Sequence, residues 1–77
     1  MSERLSPLVE LLRAGGEAGA AAGLSVGERC YVALAAGRYD LLPAAYADPV
    51  EAWHRLDVSW RAAVCQARGW PEEWARG

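Results

Sequence analysis

A chain of 77 residues, 53% hydrophobic and carrying a formal charge of −2, has room for one small core. An acidic balance, with a pI near 5.2, argues against a general polyanion binder. No apolar run is long enough to cross a bilayer.

Much of the hydrophobic fraction is alanine, which lets helices approach closely but contributes little area per residue. A compact all-α domain is therefore expected, or a homodimer that pools two thin cores. All eight basic residues are arginines, and Lys, Asn, Thr, Ile and Phe are absent. This is the bias of a GC-rich coding sequence, as in bacteria and their mobile elements. Met1-Ser2-Glu3-Arg4 leads into a charged segment with none of the apolar run of an export signal. A cytoplasmic chain is expected, with Cys30 and Cys65 as reduced, partly buried thiols rather than a disulfide.

In chain order, Ser6 and Pro7 form an N-cap and first-position pair, and Leu8, Val9, Leu11 and Leu12 cluster as on a short amphipathic helix that Gly15-Gly16 ends. Residues 16–24 hold no side chain larger than Glu17 before Leu24, and read as a Gly/Ala-rich connector. Ser25 followed three residues later by Glu28 has the capping-box spacing and opens a second helix, running to about Ala36 and stopped by Gly37. So little polar surface remains on it that it is expected at the centre, touched on two faces. Leu41 and Leu42 are too apolar for a free loop and are expected to plug one end of the core, with a helical turn at Pro43–Tyr46.

From Asp48 to Gly69 the spacing predicts one long helix. Asp48 caps it, Pro49 suits its first position and Gly69 closes it. Trp53, Leu56, Trp60, Ala63, Val64 and Ala67 fall on one side at 100° per residue and form the expected core stripe. Glu51, Arg55, Ser59, Arg61, Ala62 and Gln66 fall on the other, with Glu51–Arg55 and Asp57–Arg61 as acid-before-base pairs one turn apart. Residues 70–77 form a short aromatic tail in which Pro71 heads a final turn and sets Trp70 and Trp74 one turn apart. The whole is a small bundle of three main helices plus one or two short helical turns, in one domain, 1–77.

Few residues carry chemistry. His54 is the sole histidine, one turn from both Glu51 and Asp57, and with no second histidine at i+4 it reads as a solvated ion-paired side chain. Cys65 lies three turns beyond His54, too far to be its nucleophilic partner, and Cys30 falls on the core face. No glycine-rich phosphate loop or nucleophile elbow is present. Neither an enzyme, a metal nor a cofactor is expected.

The surplus is aromatic, with four tryptophans and three tyrosines in so small a chain. Trp, Tyr and Arg dominate the energetic centres of protein interfaces. Trp70, Trp74, Tyr39, Tyr46, Arg55 and Arg61 are accordingly the candidate protein-binding residues. The expected function is a small non-enzymatic protein–protein interaction module, a bacterial or phage-encoded inhibitor or adaptor acting on a host protein. The alternative is a small helical DNA-binding regulator that turns Arg55 and Arg61 to a groove. Against nucleic acid stand Glu51 and Asp57, interleaved with those arginines.

Overall fold

From Cys30 onward every side chain on the second helix is enclosed, and the other helices are arranged around it. The computed structural model describes residues 5–76. Residues 1–4, on which the expectation of no export signal rests, and residue 77 lie outside the described residues. The elements are α1 (Ser6–Arg13), α2 (Val26–Ala36), α3 (Pro49–Arg55) and α4 (Val58–Arg68), with 3₁₀ turns at Ala18–Ala21, Tyr39–Leu41, Ala44–Tyr46 and Glu72–Arg76. No strand occurs among the described residues. The chain is an all-α small bundle.

α2 begins at the capping box, the Glu28 amide donating to Ser25 Oγ and the Ser25 amide to Glu28 Oε1. From Cys30 to Ala36 every residue is buried. The alanines there let α1, α3 and α4 all pack closely on it. Leu12 on α1, Leu41 and Leu42 beyond α2, Ala52 on α3 and Val64 on α4 complete the core. Leu41 and Leu42 thus plug the bundle end as their apolarity requires. Within the 16–24 connector the 3₁₀ turn carries Ala21 into the core.

The long helix expected over 48–69 is two helices. Leu56 and Asp57 are extended, with ψ of 149° and 175°. The Asp57 carboxylate accepts from the Trp60 amide and the Ser59 hydroxyl, each at 2.9 Å. Aspartate is a poor interior residue and one of the best N-caps, and Ser59 supplies a second donor that Asp57 cannot meet inside a helix. The break turns Leu56 inward until it is buried. At the other end, α1 starts one residue before the pattern implied, with Leu5 in the cap position and Pro7 in the first turn.

Helix C-termini are closed in two ways. Gly37 and Gly69 adopt left-handed φ values of 71° and 72°, and the next amides, Arg38 and Trp70, return to the carbonyls of Ala33 and Cys65, each at 2.9 Å. The second device is arginine. Arg38 Nη1 donates to the carbonyls of Leu12 and Gly16 after α1. Arg13 Nη2 bridges Ala35 O on α2 and Ala67 O on α4. Arg68 Nη1 reaches Leu34 O, Arg61 Nε reaches Trp53 O, and Arg29 Nε reaches Leu41 O. Each α-helix therefore ends beneath a guanidinium sent from another element, where carbonyls with accepting capacity to spare and the negative end of the helix dipole favour a cation. The pair expected between Asp57 and Arg61 gives way to these backbone bonds. Ion pairs form instead at Arg13–Glu10, 3.6 Å, and Arg38–Asp40, 3.2 Å.

Candidate interaction surface

Past Gly69 the left-handed turn sends the chain back along α4, which brings Trp70 against Trp53 with ring centroids 6.0 Å apart. Pro71 then heads the last 3₁₀ turn, its carbonyl accepting from the Trp74 amide at 3.1 Å, and Trp74 lies 5.6 Å from Trp70. Ala75 is buried and anchors the turn, and Arg61 Nη1 donates to its carbonyl at 3.5 Å. These anchors hold the tail in place while leaving Trp74 50% exposed.

Arg68 extends this aromatic run to the C-terminal end of α2. Its guanidinium carbon sits 4.7 Å from the Trp70 ring centre and 5.9 Å from that of Tyr39, while Nη1 donates to Leu34 O at 2.9 Å and to Tyr39 Oη at 3.4 Å. The cation is thus held between two rings by a helix terminus as well as by their π faces. Tyr39 remains 42% exposed. At the opposite edge Arg61 stands 6.0 Å from the Trp53 ring.

Of the six residues singled out from sequence, Tyr39, Trp70 and Trp74 are brought together. Arg61 reaches the edge of the set through Trp53, but its donors already face the carbonyls of Trp53 and His54. Tyr46 is half-buried against the core. Arg55 is exposed near the start of α2, beside Gly27, where it borders a small recess with Glu28, Leu56 and Trp60. Sequence reasoning missed Arg68. The only local hint is its place immediately before Gly69-Trp70, since its contact with Tyr39 spans 29 positions.

Beside the tail, an open groove of about 510 Å³ runs along α4. Ser59, Ala62 and Gln66 lie on the helix side, and Trp70 and Glu72 on the tail side. Burial pushes the Cys65 thiol up, and the Glu72 carboxylate adds to the rise. Burial likewise raises Cys30, against a smaller lowering by Arg55, and raises Tyr31. Tyr31 packs edge-on against Trp60 at 4.6 Å. The Arg38 hydrogen bond holds Asp40 below its ordinary value, and the Trp60 amide does the same for Asp57.

His54 is exposed on α3 whereas both thiols are buried. Among the described residues no group of three His, Cys, Asp or Glu could hold a metal ion. No described helix is long and apolar enough to cross a membrane. No protein-family model, curated protein or solved structure matches the chain.

Proposed function

We propose that this chain is a small non-enzymatic protein-interaction module, an inhibitor or adaptor that captures a protein partner on the surface formed by Tyr39, Arg68, Trp70 and Trp74. The observation that carries this reading is Trp74, half in solvent on a tail otherwise anchored to the bundle. An indole buries on the order of 200 Å² when fully covered, so covering its exposed half is worth roughly 2–3 kcal/mol to a partner. Its ring is restrained before binding, which lowers the entropy lost on association.

Arg68 supports the reading for the same reason. Sandwiched rings and a fixed guanidinium make a rigid mixed aromatic and cationic patch, the composition that concentrates binding energy in interfaces. A nucleic-acid reading would need Arg55 and Arg61 to reach phosphates together, yet Arg61 donates to the carbonyls of Trp53 and His54. A cytoplasmic setting and a bacterial or phage origin belong to the proposal as the expectation from composition.

The test is affinity capture with the tagged chain and with Trp74→Ala and Tyr39→Ala, each first shown by circular dichroism to keep its helical signal. Loss of the same captured protein in both folded variants supports the surface. Undiminished capture by both would remove it, and sedimentation of the purified chain would show whether a second copy is the partner.

A further inference from the structure

We propose that the elbow between α3 and α4 is a hinge, and that straightening it lets two copies of the chain exchange α4 with its tail to form an intertwined dimer. The break consists of two residues, Leu56 and Asp57, both extended. This goes beyond the partner surface formed by Tyr39, Arg68, Trp70 and Trp74 and does not depend on it.

In an unbroken helix the amides of Asp57 and Val58 would meet the carbonyls of Trp53 and His54, and the Trp60 amide that of Leu56. In the elbow Arg61 takes the first two oxygens, Nε on Trp53 at 3.0 Å and Nη2 on His54 at 3.3 Å, and the Asp57 carboxylate takes the Trp60 amide at 2.9 Å. The two side chains that pin the break thus occupy groups that a straight helix would pair for itself. One set of hydrogen bonds is traded for another, so local bonding leaves the two forms close in energy. The apolar spacing does not separate them either. Trp53, Leu56, Trp60, Ala63, Val64 and Ala67 share one side of a straight helix at 100° per residue.

Packing decides for the elbow in a single copy. Both α3 and α4 lie against α2, with Ala52 and Val64 fully buried. Straightened, residues 49–68 would form a rod about 30 Å long, close to the 31 Å that the whole molecule spans along its longest axis, and α4 would have to leave α2. The side of α2 it uncovers fits α4 of a second copy by identity. Arg13 on Ala67 O, Arg68 on Leu34 O and Tyr31 against Trp60 would then re-form between copies, while the bonds of the elbow give way to helical ones. Reciprocal exchange through a short hinge is a low-cost route to a dimer. Val58, 52% exposed in the elbow, lies at the hinge, where the crossing copies meet and can cover it.

The experiment refolds the full chain from urea at low and at high protein concentration. Light scattering after size separation gives the mass, and the Cα chemical shifts of Leu56 and Asp57 read the hinge. The concentrated sample is expected to yield a dimer that persists on dilution, because return requires α4 to leave α2 again. Both hinge residues should be helical in it and extended in the monomer. Val58→Pro distinguishes exchange from a surface dimer. Position 58 opens α4, where proline is well placed, and the extended Asp57 has the conformation that suits the residue before a proline, so the elbow should fold as before. Inside a straight helix the same proline clashes and removes a bond, and the dimer should fall roughly a hundredfold or more. Asp57→Ala removes one pin and should raise the dimer roughly tenfold.

A chain that stays monomeric at every concentration, in Asp57→Ala as in the parent, would overturn the proposal. So would a dimer that Val58→Pro leaves intact, or one in which Leu56 and Asp57 remain extended, since either joins closed copies by their surfaces. Should Asp57→Ala fail to fold, the parent and Val58→Pro decide between these outcomes.

Discussion

Arg61 Nε lies 3.0 Å from the carbonyl oxygen of Trp53, so a side chain of α4 closes the end of α3. The same guanidinium reaches His54 O at 3.3 Å and Ala75 O at 3.5 Å, tying two helices and the tail through one residue. Arg61→Ala leaves these carbonyls without a charged donor and should cost about 2 kcal/mol, lowering Tm by roughly 10 °C. Arg61→Lys should recover little, because an ammonium lacks the planar fork that spans several acceptors. Thermal unfolding followed by circular dichroism checks both, and a Tm unchanged in Arg61→Ala would mean water serves these carbonyls equally well.

The two left-handed glycines that close α2 and α4 should not be equivalent. At Gly69 an added Cβ meets nothing within 4 Å, so Gly69→Ala carries the conformational penalty alone, about 1 kcal/mol. At Gly37 the Cβ would stand 3.3 Å from Arg68 Nη1, the nitrogen that donates to Leu34 O. Gly37→Ala should therefore cost roughly 1 kcal/mol more than Gly69→Ala in urea unfolding. Equal losses would show that Arg68 shifts freely and is not a fixed cap.

Two aliphatic side chains of similar character should respond in opposite ways. Leu41 is 1% exposed and Val50 is 62% exposed. Leu41→Ala should destabilise by about 2–5 kcal/mol, a large share of what a domain of this size possesses. Val50→Ala should stay within about 0.5 kcal/mol of the parent, since alanine favours the helix as much as the exposed valine contributed. Chemical denaturation of the two variants side by side is the measurement.

Acid should weaken the fold through Asp57. Its carboxyl is lowered by the Trp60 amide and the Ser59 hydroxyl, so the folded state favours the ionised form. The stabilisation is complete above the unfolded aspartate value of about 3.9 and is lost as pH falls through the lower folded value. Asp57→Asn keeps a capping oxygen without a titrating proton. Its Tm should fall less steeply below about pH 4 than that of the parent. Parallel acid limbs would assign the loss to other carboxylates.

At the alkaline end the sign reverses. Cys30 and Cys65 are raised by burial, so their contribution is intact below the unfolded thiol value of about 8.5 and declines as pH rises from there through the folded values. A thiol reagent should modify neither cysteine at the rate of an unfolded control, because the reactive thiolate is both scarce and enclosed. Labelling as fast as in urea would contradict the burial.

The sequence was most readable where structure follows from neighbours. Ser25 with Glu28, Gly37, Asp48 with Pro49, and Gly69 are local signals, since a cap or a left-handed turn is decided within a few residues. Leu41 and Leu42 were readable because apolar residues in a short connection have nowhere favourable to go but the core. Asp57 was the local signal passed over. Its place in a continuing 3.6-residue pattern concealed that Asp-x-Ser also starts a helix, and the period survives a break that leaves Leu56 and Trp60 on the covered side. Tyr39, Trp70 and Trp74 could be named from composition, but nothing in their spacing states that they share a surface.

By itself the chain's order of residues determined an all-α bundle, its capping points and the central place of α2, because helix propensity, capping and apolar spacing act over one or two turns. Tertiary structure decided where the arginines went. A guanidinium seeks carbonyl oxygens with a lone pair to spare at the ends of other helices, and which ends lie within reach depends on packing across tens of residues, as Arg13 at Ala67 and Arg68 at Leu34 illustrate.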